Sequence, residues 1–188
     1  MDEIEPGAMP FHDMIKSWLM ISEILLLDEN VQVNGLVSVV DHSGMTRKHL
    51  RYGTPSNMRM LIDVFENSTP IRVNSEHLLR QPDIFDIFFS VVKPLLTEKM
   101  KSRIHFHGEE FGTLHEYVPS AILPSEFGGQ LEKFGNSEFV DKILAAEDYF
   151  IENSQYGFLK ADEILGGEST ANDPTTGITG SFKKLDVN

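Results

Sequence analysis

Pro82 and Pro94 fence off a segment that is apolar around most of its circumference, and no other stretch limits the fold as much. Pro82 and Asp83 suit a helix start, and Pro94 ends that helix about three turns later. Between them Ile84, Phe85, Ile87, Phe88, Phe89, Val91 and Val92 leave only Asp83, Asp86, Ser90 and Lys93 for a polar stripe. An ordinary surface helix carries a narrower apolar stripe, with polar residues opposite. A helix this apolar is either buried on every side or meets something oily that is not its own core.

The flanking sequence indicates what kind of fold houses it. Residues 36–40 (LVSVV), 71–79 after Pro70, and 104–108 read as strands. Asn34-Gly35 precedes the first, and Ser43-Gly44 follows it in a loop. Helix-length segments separate the three runs. One starts at Gly53-Thr54-Pro55, with Met58, Leu61, Ile62 and Phe65 on its inward side; the apolar helix and a short basic helix follow. Strands spaced by helices predict βαβ units and a mainly parallel sheet covered by helices, an α/β fold. Residues 12–29 form a further helix, with Met14, Trp18, Ile21 and Leu25 on one face and Ile15, Leu19 and Leu26 beside them. The reading gives a domain over 1–134, a C-terminal helix within 135–153 (its amphipathic part 139–152), and a loose tail over 154–188 with a docking segment at 178–185.

Charge is distributed unevenly. The net charge of −13 argues against nucleic acid as the general partner. Residues 35–108 nevertheless carry ten Lys or Arg against seven acids. Lys93, Lys99, Lys101 and Arg103 cluster directly after the apolar helix, and Arg47, Lys48 and Arg51 form a second group. A charged run is usually a solvated face. Apolar surface beside cations is also the combination that engages anionic membranes. The chain has no cysteine, no basic signal-peptide region at Met1, and no apolar run long enough to span a bilayer, so a cytoplasmic protein is expected.

No phosphate loop, GxGxxG, GxSxG or HExxH occurs. His105 and His107 share a strand face, and His115 could join them at a metal; hydrogen-bonded structural histidines are the competing reading. Asp41 at a strand end could be a catalytic acid or could cap the following turn. With no nucleophile or carboxylate pair in evidence, binding without a cofactor is favoured over turnover. Ser22 either bonds back to its own helix or offers a ligand the one hydroxyl of an apolar cavity.

Taken in order, these residues resemble the CRAL-TRIO lipid-binding domains, and within them the alpha-tocopherol transfer protein and retinaldehyde-binding protein branch. The resemblance rests on residues 35–41 (GLVSVVD) with Gly44, Pro70-Ile71-Arg72, His77-Leu78-Leu79, Pro82 with Phe85, and residues 92–99 (VKPLLTEK). Residues 104–108 (IHFHG), Leu123-Pro124 and Glu126-Phe127-Gly128-Gly129 complete it. It implies a three-layer fold whose sheet floors an apolar pocket, with residues 82–93 as a mobile lid. Ligand-lining positions would be Ile15, Leu19, Ser22, Leu36, Ser38, Val40, Leu61, Val64, Phe65 and Val73, joined by Phe85, Phe88 and Phe89 of the lid. Phosphoinositide contacts would fall on Arg72, Lys99 and Arg103; a further basic site of that cluster is Asn74 here, which leaves phosphoinositide selectivity open. The family's N-terminal helical domain and its first strand with an Asp-x-x-Gly-Arg turn have no counterpart, so a shortened chain of reduced stability is expected. Residues 180–185 (GSFKKL) resemble the ending of insect members. The expected protein is a monomeric carrier that moves a tocopherol, retinoid or similar lipid between membranes, with phosphoinositide-assisted release. The alternative is a phosphoinositide-dependent recruitment module without cargo.

Overall fold

Short apolar runs joined by helices can pair side by side only if each connection carries the chain back over the sheet, and they do so here. The computed structural model describes residues 7–156. The tail expected over 154–188 lies almost wholly outside the described residues. Helices α1 (Phe11–Leu26) and α2 (Glu29–Asn34) lead into strand β1 (Leu36–Asp41). A 3-10 turn (Arg47–Tyr52) and α3 (Pro55–Ile62) lead to β2 (Val73–Leu79). Helices α4 (Ile84–Val92) and α5 (Glu98–Lys101) lead to β3 (Ile104–Phe106), followed by α6 (Phe111–His115) and α7 (Ser137–Ala145). The sheet is parallel throughout, in the order β1-β2-β3. Residues up to Ala145 form one compact unit, and α8 (Glu147–Asn153) belongs to a second.

Local chemistry explains most boundaries. Thr54 caps α3 by accepting from the Asn57 amide at 3.2 Å, with Pro55 in the first turn. Thr97 caps α5 in the same way through Met100. The single helix expected over 12–29 ends at Leu26 because Asp28 starts a new one, its carboxylate accepting from the Asn30 amide at 2.8 Å. The helix expected over 139–152 is interrupted at Ala146, and α8 opens with Glu147 and Asp148, acids placed favourably for a helix N-terminus. Gly35 has φ +77°, and a Cβ there would stand 2.3 Å from the Arg72 carbonyl oxygen, so only glycine lets the chain enter β1. Gly129 faces a tighter limit, since a Cβ would meet the Leu123 carbonyl oxygen at 1.8 Å.

Alternation along the strands separates two faces. One carries Val39, His77 and Leu79; against it pack Leu114, Val118 and Leu123, with Phe111 and Phe127 at their edge. The other carries Val40, Glu76, Leu78 and Ile104. Over that side a second core gathers Met58, Val92 and Leu96 from α3, α4 and the segment after α4. α4 is thus not surrounded. Phe85 and Val92 are buried, Phe88 and Phe89 half-buried, and the outward stripe is Asp83, Asp86, Ser90 and a 57% exposed Ile87.

Candidate functional site

Between α4 and the sheet lies a hollow of about 160 Å³. Leu78 and Ile104 form its floor, and Phe85, Phe88, Phe89 and Val92 of α4 hang over it. Leu61, Ile62 and Phe65 close one side, and Leu96 and Met100 another. The volume is close to the roughly 150 Å³ at which an apolar cavity takes a benzene-sized guest, and below the about 300–1,000 Å³ of common ligand clefts. The hollow has room for a ring or a short apolar chain.

The wall beside α3 has a particular shape. After Ile62 the helix widens into a π turn (Asp63–Ser68). That extra residue per turn places Phe65 and Glu66 on the cavity. Phe65 stacks on Trp18 of α1 with ring centroids 3.9 Å apart. Glu66 reaches on to α5, accepting from the Thr97 amide at 3.3 Å and its hydroxyl at 3.4 Å.

Five of the thirteen expected lining residues stand on the wall: Leu61, Phe65, Phe85, Phe88 and Phe89. Ser38 and Val40 share the sheet face of Glu76 and Leu78 and are half-buried, without reaching the hollow. Leu36 and Val73 pair at the start of the ladder, before a register irregularity. Val64 and Leu19 are half-buried, Ile15 is buried in α1, and none of the three borders the hollow. Ser22, 2% exposed, donates to the Trp18 carbonyl at 2.9 Å, so its hydroxyl is engaged within its own helix.

Besides Glu66, two polar residues on the wall were not singled out from the sequence. Glu76 is half-buried on β2, and His42 follows β1. Burial pushes the Glu76 carboxyl above its usual range. Burial lowers the His42 imidazole; the Val40 backbone and the Asp41 charge oppose this only in part, and Nδ1 has no partner in hydrogen-bonding geometry. Two-residue periodicity was the available signal, since Ser38 and Val40 lead to His42 on the same face.

The opposite face explains the other histidines. His77 Nδ1 and His107 Nε2 share a hydrogen bond of 2.8 Å, His77 Nε2 meets Ser75 Oγ at 2.9 Å, and His107 Nδ1 meets Thr113 Oγ1 at 2.8 Å. His105 stacks on His77, and His115 Nε2 is bonded to the Phe127 carbonyl at 3.0 Å. No cluster of metal-ligating side chains occurs among the described residues. Asp41 is a cap and a brace: it accepts from the Ser43 amide at 2.9 Å and pairs through both oxygens with Arg80. Partial burial would raise its pKa, but these bonds outweigh it and hold the carboxyl below the usual range. Arg80, at φ 50°, lies over the Phe111 and Phe127 rings.

Arg72 and Arg103 both stand where strands begin, at the same end of the sheet, and Lys99 lies on α5 just before. Arg72 and Lys99 are exposed. The half-buried Arg103 donates to the Val73 carbonyl at 2.6 Å. No helix among the described residues is long and apolar enough to cross a membrane.

A family model described as CRAL/TRIO domain matches residues 1–129. The human alpha-tocopherol transfer protein-like protein is 30% identical over 161 residues, 86% of this chain and 47% of its own length. Human clavesin-2 is 33% identical over 144 residues, 77% of this chain and 43% of its own. The chain spans about half the length of the relatives it matches. The crystal structure of Sfh5 superposes with a TM-score of 0.44 at 16% identity, covering 63% of this chain and 43% of that one. A likeness that loose carries no weight here.

Proposed function

This chain belongs to the CRAL/TRIO domain family, and on that premise we propose that it is a non-enzymatic carrier, which takes up a hydrophobic lipid behind α4 and passes it between membranes. The observation that supports this most is the aromatic-roofed hollow between α4 and the sheet. Tocopherols, retinoids or related isoprenoids fit its apolar walls. Each methylene moved from water into such walls is worth about 0.8 kcal/mol, so affinity is readily obtained and release is the harder step. α4 is the natural gate. It hangs from the 3-10 turn at Lys93–Leu95, with Pro94 at its foot, and turns only Ile87 fully outward among its apolar residues. Arg72, Lys99 and Arg103 supply the cationic side that would meet a phosphoinositide-bearing surface, and approach of that surface would favour the open helix.

Native mass spectrometry of the chain purified from eukaryotic cells tests the reading. A retained lipid-sized adduct, lost on Phe88→Trp, which fills the hollow, is the expected result. A protein that leaves eukaryotic cells with no lipid and takes none from vesicles is a recruitment module and not a carrier.

A further inference from the structure

We infer that Glu76 is a head-group site: the hollow is built for an amphipathic lipid whose polar end donates a hydrogen bond, as a hydroxyl or a protonated amine does. This rests on the carrier reading above and adds the chemistry of the cargo. Glu76 lies on β2 in register between Ser38 and Ile104, on the face that floors the hollow. Its amide is engaged by the Arg103 carbonyl at 2.8 Å, while no partner to its carboxyl occurs among the described residues. Arg103, whose carbonyl engages that amide, points its guanidinium at the Val73 carbonyl instead. Half-buried among Leu61, Phe65, Leu78 and Ile104, this carboxyl is partly stripped of water, which costs free energy. A residue of that kind is out of place in a wall meant only to repel water, and a bound donor would remove the cost.

His42 is an independent sign of the same kind. Its Nδ1 is buried and has no partner, and the ring borders the same hollow with its edge against Phe85 at 4.7 Å. His42 lies four residues beyond Ser38, the strand partner of Glu76, or about 13 Å at the rise of a parallel strand. Glu66, the third polar residue on the wall, already accepts from Thr97, and the separation of the other two leaves a single small head group to one of them. Glu76 is the acceptor of the pair that can carry negative charge, so it takes the donor.

The chain's one tryptophan stacks on Phe65, which borders the hollow, and provides the readout. Trp18 fluorescence is titrated with decylamine, decan-1-ol and decyl methyl ether, three probes with the same tail and different heads. The amine and the alcohol are expected to bind about tenfold or more tightly than the ether. Glu76→Leu should bring all three within about twofold, and Glu76→Gln should keep the preference for the alcohol while losing the extra affinity of the amine. Circular dichroism establishes that both variants are folded. Equal binding of all three probes by the parent protein, or a head-group preference that survives in Glu76→Leu, overturns the role of Glu76 and leaves the carrier reading standing. Failure of every probe to bind either protein overturns both.

Discussion

Beneath the sheet, Leu79, Leu114, Val118 and Leu123 close on one another and each is at most 8% exposed; above it, Phe88 and Phe89 stand half-exposed around empty space. The same three strands supply both surfaces, so the difference lies in what covers them. The lower cover is short: α6 and two 3-10 turns, pinned by Gly129 against Leu123, by the His115 bond to Phe127 and by Arg80 across two aromatic rings. The upper cover is made of longer helices that touch through large side chains and leave a gap. One side is closely packed and the other leaves a hollow.

The most direct way to break this contrast is truncation. Leu114→Ala should cost about 3 kcal/mol, because a fully buried leucine loses its packing and leaves a void. Phe88→Ala should cost about half as much or less, since the ring is only half-buried beside a hollow that already exists. Urea denaturation midpoints decide it; equal losses would mean that the upper face is core like the lower.

Acid should divide the faces by sign. Burial, then His107 and His105, lower His77 to about 4. A neutral imidazole in the fold and a titrating one in the unfolded chain give a stability that is complete above about pH 6.5. It declines as the pH falls towards 4, by roughly 3 kcal/mol at most from this group. Glu76 works the other way. Its raised pKa means that the penalty for burying it is absent below the ordinary carboxyl range and appears as the pH rises through the folded value. Stability measured from pH 7.5 to 4.5 should therefore fall overall, and Glu76→Gln should be more stable than the parent at pH 7.5 with the gap closing on acidification. A gap that stays constant with pH would show that Glu76 is not desolvated.

The smallest effect expected is kinetic. Arg72→Glu with Lys99→Glu, both exposed, should slow lipid transfer to anionic vesicles about tenfold while leaving neutral vesicles and the denaturation midpoint unchanged. Arg103 is a poor choice for this test, since its bond to the Val73 carbonyl ties it to the start of β2. Equal slowing on neutral vesicles would place the effect in the hollow and not at the membrane.

Much of this was legible in the sequence. The three strands, the capped start of α3 and the proline-bounded α4 follow from periodicity and turn chemistry, and Asn34-Gly35 marks the turn into β1. The site was read less completely. Five of the expected residues border the hollow, four of them carried on regular faces of α3 and α4. Of the two readings of Ser22, the structure shows the hydroxyl bonded back to its own helix. Glu76 and His42 were missed because a charged residue inside a strand reads as solvent-facing until its pairing is known. The widened turn after Ile62 was invisible, since nothing in Asp63-Val64-Phe65-Glu66 distinguishes hydrogen bonds spaced five residues apart from bonds spaced four apart. The histidines on the lower face were correctly placed on one strand side, but their chief partner, His77, comes from the neighbouring strand and no local pattern points to it.

That widened turn has one more effect. Phe65 belongs to the lining of the hollow, and Glu66, the next residue, braces the first turn of the helix that bears Lys99. The interior and the cationic exterior are thus hung from adjacent peptide units, like a latch and its handle on one short shaft. Displacement of Phe65 would be handed on through one peptide unit to Thr97, so the width of the chamber and the position of Lys99 are tied within a single short stretch of chain.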